Sequence, residues 1–336
     1  MIADPGLPVP PVTYGGIERI VAMLAEGLAG HGWDVTLACH PESTCAVEKI
    51  PLRHQSIRAG DRLRNALCIL TRNPWRFDLV HSFAHFDMLA ALWPMSFPKI
   101  QSFQSIPPWE AFQKRLRVIP RRNFHVTVCG RHMVPRFKGI APCVAIHNGV
   151  VPDSFDFIET VADDAPLVFL GRIDPVKGTH HAIEVAHLTG RRLVIAGNIS
   201  ETAEAKSYFD QQVAPFLSER IEYIGPVDDV RKNKLLGGAA AMLMPIEWDE
   251  PFGIVMAESL ACGTPVVGFA RGALPEIVDH GIAGFHATTV EDLVDGVGKL
   301  GQIRRRACRD AVESRFSAEG IVRQYSDFYT SLLGRS

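Results

Sequence analysis

Residues 241–269 leave this chain few ways to fold. A short apolar run at 241–245 is followed by a polar break, WDEPFG, then by an apolar-rich stretch ending at Gly263, and then by a second apolar run at 265–269. Such runs, lacking polar alternation, read as strands buried on both faces, and the stretch between them reads as a helix with Pro251 at its start and Gly263 at its stop. Strand, helix, strand is a βαβ unit. The helix N-terminus then opens at the carboxyl edge of a parallel sheet, where the amides near Phe252, Gly253 and Ile254 favour a phosphate or the hydroxyls of a sugar. Gly253 carries no side chain to hold such a ligand away.

The alternation continues on both sides of this unit. Strands are expected at 34–39, 50–57, 79–83, 99–104, 125–129 and 144–147, then at 167–173, 193–197 and 221–225, with helical segments between most of them. This is an α/β pattern. With 336 residues it fits two domains, 1–151 and 152–315, joined by an acidic linker at 153–164, while the last segment, 316–336, is expected to cross back onto the first domain. The opening is unusual. Only MIAD precedes the loop DPGLPVPPVTYGGIER, so the first strand is nearly absent, and either translation starts upstream or the first sheet lacks hydrogen bonds at its centre.

Composition narrows the class. At 47% hydrophobic, with no apolar run near the roughly 18 residues of a membrane span and no leader-like start, the chain reads as a soluble cytoplasmic protein. Its seven cysteines are scattered and never in CxxC spacing, which suggests neither a disulfide framework nor a zinc site. The net charge of −2 hides an imbalance. Residues 1–151 hold 17 Lys/Arg against 10 Asp/Glu, and the remainder holds 18 against 27. The basic excess gathers at 110–138, in Lys114, Arg115, Arg117, Arg121, Arg122, Arg131, Arg136 and Lys138. That segment is a candidate peripheral contact with an anionic membrane face or a charged acceptor.

The chemistry-bearing residues fall in loops after strands. In GRIDPVKG, Arg172 and Lys177 place two cations where a departing nucleoside diphosphate needs neutralising. Glu250 stands just before the central helix, and Glu258 lies about two turns along it, on an apolar face where an unpaired acid would be costly. A carboxylate accepts two hydrogen bonds at once, which suits a vicinal diol. Gly15 and Gly16, opening the first helix, let the backbone approach a diphosphate. Asp228 and Asp229 imitate a metal-binding pair, but their place before a helix makes them a cap. His81, at the end of a strand, is a candidate contact for donor or acceptor.

These motifs, EPFGIVMAE above all, together with HNGV at 147–150, GRIDPVKG, AGNIS and YIGPVDD, resemble the retaining GT-B fold glycosyltransferases of family four, the glycosyl transferases group 1. The resemblance spans nearly the whole chain. It implies two Rossmann-like domains facing across a cleft, and transfer of a hexosyl-type sugar from a UDP- or GDP-sugar to an acceptor hydroxyl with retention of configuration. It further implies no metal, no other cofactor and no nucleic-acid partner, in polysaccharide or glycolipid synthesis. Arg172, Lys177 and Glu250 become the catalytic residues, with Glu250 meeting the donor sugar. Gly15, Gly16, Gln104, Phe252, Gly253, Ile254 and Glu258 become donor contacts, with Glu258 on the ribose. Gln104 stands where many family members carry a histidine, and since it cannot act as a base it is left to hydrogen-bond a sugar hydroxyl. A dinucleotide-dependent dehydrogenase would need GxGxxG after the first strand and an acid further on, and neither is present. A non-catalytic or truncated sugar-nucleotide-binding homologue is the competing reading.

Overall fold

The computed structural model describes residues 1–12, 15–53, 58–106, 109–116 and 123–334, in two compact units. The first comprises Met1–Gly149 together with Ala318–Ser336, and the second comprises Val150–Ser317. Each is an α/β unit built on parallel strands.

In the first unit the strands are β1 (Thr36–Cys39), β2 (Glu48–Pro51), β3 (Val80–Ser82), β4 (Lys99–Phe103), β5 (Phe124–Val128) and β6 (Cys143–Ala145). β1 pairs with β2, and β3 to β6 form a sheet in sequence order. The second strand is shorter and starts earlier than the strand expected around 50–57, and residues 54–57 lie outside those described. The N-terminal residues join the two pieces. Ile2 bridges Ala38 on one side and Ser82 on the other. Four backbone hydrogen bonds make the join: Ile2 to the His81 carbonyl (2.8 Å), Phe83 to the Ile2 carbonyl (2.8 Å), Ala3 to the Ala38 carbonyl (2.8 Å) and Ala38 to the Met1 carbonyl (2.9 Å). The expected gap at the centre of this sheet is therefore filled. Three residues suffice because only a bridge, rather than a full strand, is needed to satisfy the facing amides.

The helix Ala318–Leu332 buries Tyr325 and Tyr329 in this same unit and runs against the helix Gly16–Gly30. Gly27 permits the close approach: a Cβ there would stand 2.4 Å from Val322 Cγ2. Trp33 fixes the contact by donating from Nε1 to Ser326 Oγ at 2.9 Å and by setting its ring edge-on to Tyr329.

In the second unit the strands are β7 (Leu167–Leu170), β8 (Leu193–Ala196), β9 (Ile221–Tyr223), β10 (Ala241–Met244), β11 (Val266–Phe269) and β12 (Gly284–Ala287). They form one parallel sheet in the order β12-β11-β10-β7-β8-β9. β7, β10 and β11 are buried along their whole length, as runs without polar alternation require. The buried guanidinium of Arg305 donates to the carbonyls of Ile158, Gly237 and Ala239, so the helix Arg305–Arg315 locks the start of the unit to its core. Because β7 and β10 are neighbours, the loops that leave their carboxyl ends, 171–178 and 245–253, lie side by side. Among the described residues no helix is long and apolar enough to cross a membrane. Of the basic segment at 110–138, Arg117, Arg121 and Arg122 fall outside the described residues.

Candidate active site

The loop after β7 turns through Pro175–Lys177 and ends at Gly178, whose φ of 71° is left-handed. A side chain there would be impossible for a second reason, since a Cβ would stand 2.0 Å from the carbonyl oxygen of Pro245. The two loops are thus pressed backbone to backbone. The Glu247 amide donates to the Val176 carbonyl at 2.9 Å and adds a direct tie.

This contact carries Lys177 to Glu250. Lys177 Nζ lies 2.6 Å from Glu250 Oε2, with the two side chains 16% and 15% exposed. Trp248 Nε1 donates to the same oxygen at 2.8 Å, and the ammonium sits 5.2 Å from the Trp248 ring centroid. Glu250 is also fixed through its main chain, because its carbonyl accepts from the Ala273 amide at 2.9 Å. Gly272 lets that segment come close: with φ of 55°, a Cβ would stand 2.3 Å from the Glu250 nitrogen. Carboxylate and ammonium are therefore held at one place by groups from three loops, partly desolvated, where charge interactions exceed their value in water.

Arg172 is paired as well. Its Nε donates to Oδ2 of Asp174, a largely buried residue whose Oδ1 has no hydrogen-bond partner among the described residues. The loop thus holds its two cations against two acids, so the surplus of positive charge that the sequence suggests is largely balanced. A diphosphate reaching Arg172 and Lys177 would compete with Asp174 and Glu250 for them.

The helix after β10 is Ile254–Ala261, three residues later than Pro251 implies. Gly253 is its N-cap with φ of 70°, a conformation in which other residues are strained, and Ile254 is its first residue. The first amides of this helix have no intrahelical acceptor and are the polar groups that the end of β10 presents. The side chain of Phe252 is 2% exposed and packs against Phe316, so any donor contact there belongs to its backbone and not to the ring.

Glu258 is 5% exposed on the same helix. It has a partner the sequence does not reveal: Lys232 Nζ lies 2.6 Å from Oε1, and Asp229 at 3.1 Å completes the group. Burial opposes the Lys232 charge, but Glu258 and then Asp229 overcome it, and the net effect raises the Lys232 pKa. Glu258 is therefore a buried ion-pair partner before it is anything else. Asp228, as expected, caps the helix Asp229–Gly237, accepting from the Arg231 amide at 2.7 Å.

The remaining expected residues belong to the first unit. Gly15 directly precedes the helix Gly16–Gly30, and a Cβ on it would stand 2.7 Å from Pro11 Cβ, while Thr13 and Tyr14 of the same loop lie outside the described residues. Gln104 Oε1 accepts from Asn148 Nδ2 at 2.8 Å. His81 departs from expectation. It is fully buried, with Nδ1 against the Tyr329 hydroxyl and Nε2 2.6 Å from Ser102 Oγ, so both ring nitrogens are spent inside the unit and neither can meet a substrate. Its side chain turns inward because the helix Ala318–Leu332 covers it. Trp248, Asp174 and Asn148 lie in or beside the motifs WDEPFG, GRIDPVKG and HNGV, which mark their places but not their partners, whereas Lys232 carries no sequence signal. One further cluster of donors stands near the loops, where His180, His181 and Glu247 each offer an atom within 4.8 Å of the others.

Two units of parallel strands and helices are the architecture of a GT-B glycosyltransferase. Residues 14–154 match the model described as Glycosyltransferase Family 4 and residues 152–313 match that described as Glycosyl transferases group 1, and the chain belongs to this family. It is 25% identical over 388 aligned residues to glycogen synthase of Mycobacterium tuberculosis, covering 95% of this chain and 92% of that protein. Its fold is similar to that of sucrose-phosphate synthase from Thermosynechococcus elongatus, with a TM-score of 0.81 at 19% identity over 100% of this chain and 99% of the other. It is similar in the same way to HepE of Anabaena in complex with UDP and glucose, with a TM-score of 0.76 at 18% identity over 98% of each.

Proposed function

We propose that this glycosyltransferase takes its sugar from a nucleoside-diphosphate donor, UDP- or GDP-linked, and transfers it to an acceptor hydroxyl with retention and without a metal. The pairing of Lys177 with Glu250 carries the reading. A leaving diphosphate gains negative charge as the bond to the sugar breaks, and Lys177, Arg172 and the first amides of the helix that opens at Ile254 would receive it. As the diphosphate draws Lys177 away, the Glu250 carboxylate is freed to accept from sugar hydroxyls. Binding of the two halves of the donor is then coupled through one ion pair. Asp228 and Asp229 are occupied as cap and ion-pair partner, so neither is offered as a metal ligand. Gln104 supplies no base, which suits retention, where the leaving phosphate oxygen can take the acceptor proton. The solved complex of HepE with UDP and glucose is consistent with a nucleotide-sugar donor.

The test is a screen of nucleotide sugars by thermal shift, followed by product analysis with the donor that binds. Transfer should persist in EDTA, and NMR should show the donor's anomeric configuration kept in the product. Activity abolished by EDTA and restored by manganese, or an inverted anomer, would overturn the proposal. Donor binding without transfer or hydrolysis would favour the non-catalytic reading.

A further inference from the structure

We propose that His180, His181 and Glu247 form a binding site for a divalent cation of zinc-like softness, a clip between the loops that follow β7 and β10. It does not rest on the sugar-transfer reading, because its readouts are metal binding and thermal stability rather than turnover.

The site comes from chain placement. His180 and His181 are the second and third residues of the helix Thr179–Thr189, directly after Gly178, and Glu247 follows Pro245, the residue whose carbonyl Gly178 abuts. The backbone bond from Glu247 to Val176 ties the residue beside the two rings, with its carboxylate at their Nε2 atoms. Glu247 Oε1 lies 2.8 Å from His181 Nε2 and 3.5 Å from His180 Nε2, and the two rings lean together with centroids 4.0 Å apart. Ligands about 2.0–2.1 Å from a tetrahedral zinc stand roughly 3.3–3.4 Å from one another. The His180 separation already fits, and the His181 separation needs to open by about half an ångström. Two imidazoles and one carboxylate select zinc, nickel or copper over magnesium or calcium, which prefer an all-oxygen shell, and leave a fourth position for water.

The groups behind the ligands are in place too. His180 Nδ1 lies 2.8 Å from the Tyr208 hydroxyl, a partner that fixes the ring and lets Nε2 present its lone pair. His181 Nδ1 is buried without a hydrogen-bond partner among the described residues, with Glu184 Oε2 at 3.8 Å. A carboxylate only accepts, so Nε2 is the nitrogen that donates to Glu247, and in the neutral ring the proton is then absent from Nδ1. A cation at Nε2 shifts that proton to Nδ1, facing Glu184, with no net proton lost. The unsatisfied atom thereby becomes the usual outer partner of a ligating histidine.

The full-length protein, stripped with EDTA and dialysed, is titrated at pH 7 with zinc chloride by calorimetry, and with cobalt(II) by visible absorption. One equivalent should bind, cobalt should give the absorption bands of four-coordination, and zinc but not magnesium should raise the melting temperature. His181→Ala and Glu247→Gln should each weaken zinc binding at least tenfold and remove the thermal shift. If His181→Ala does not fold, Glu247→Gln decides, since the Glu247 side chain is 43% exposed and its loss leaves the core intact. No binding, equal binding of magnesium, or one equivalent retained by the variants would overturn the assignment.

Discussion

Lys177 and Glu250 are 73 residues apart in the chain and meet at 2.6 Å. The meeting is not an accident of two long side chains on a surface. Each comes from a loop leaving one of two adjacent strands, and the loops are held in contact by Gly178 against Pro245 and by the amide of Glu247 on Val176. Ion pairs in the open contribute little to stability, and this one, held at the strand ends and partly screened from water, is better placed to respond to a ligand than to hold the fold.

The first prediction follows from that pairing. Glu250→Gln removes the charge opposing Lys177 but keeps the shape, so the free nucleoside diphosphate should bind more tightly, by about the 1 kcal/mol of such a pair, roughly fivefold. Turnover should nevertheless fall by about a hundredfold or more, because the acid facing the sugar is gone. Lys177→Ala should reduce turnover more than donor affinity, since charge on the leaving group is largest in the transition state. Calorimetry with the diphosphate and steady-state kinetics decide. Weaker diphosphate binding in Glu250→Gln would mean that the pair orients Lys177 rather than restrains it.

The second prediction concerns Glu258. Read from sequence alone, its removal would weaken nucleotide binding and leave the fold untouched. The pairing with Lys232 changes this. Glu258→Ala leaves an ammonium with the exposed Asp229 as its remaining acid among the described residues, and should cost about 2–3 kcal/mol of stability, at or just below the lower edge of what breaking a fully buried pair costs. Lys232→Met with Glu258→Leu together should recover much of the loss, and the double-mutant cycle should give a coupling of about 1–3 kcal/mol. The pH dependence has a definite sign. The folded pKa of Lys232 is raised, so its stabilisation is fully present below the ordinary lysine value of about 10.4 and is lost as pH rises through the folded value. Denaturant unfolding of wild type and Lys232→Met should therefore differ by a constant amount from pH 7 to 9, and the difference should shrink only as pH rises past about 10.4. A fully stable Glu258→Ala with impaired nucleotide binding would return Glu258 to the ribose role alone.

What was legible in the sequence follows from what each feature depends on. β7, β10 and β11 are continuous apolar runs because both faces are buried, and such runs can be read without knowing the partners. The position of Lys177 and Glu250 after strands could be read for the same reason, and the capping role of Asp228 from its own short helix. The pairing of Glu258 with Lys232 could not, because it depends on how the helix Ile254–Ala261 lies against Asp229–Gly237, and a lysine in VRKNK looks like any solvated one. His81 misled for a related reason. Its strand ends where a ligand would be expected, but a helix almost 250 residues later in the chain supplies Tyr329 and closes it in.

That buried histidine gives the last prediction. His81, Ser102, Thr127 and the Tyr329 hydroxyl form a continuous polar chain through the first unit, with Tyr325 bonding to Ser102 and Thr127. Burial holds the His81 pKa well below its usual value, so the ring is neutral in the folded protein. A base whose folded pKa is depressed costs stability as pH falls: below about 6.5 the unfolded chain takes up a proton that the folded chain refuses. The loss from this one group approaches about 1.4 kcal/mol per pH unit until its folded pKa is reached. His125 in the same unit is also shifted down by burial and adds a slope of its own. His81→Asn keeps a hydrogen-bonding side chain but does not titrate. It should be less stable than wild type at pH 7.5, yet lose less on acidification to pH 5.5, by about 1–1.4 kcal/mol. Urea unfolding of both proteins at the two pH values measures the difference directly, and equal losses on acidification would place the acid-sensitive group elsewhere than at His81.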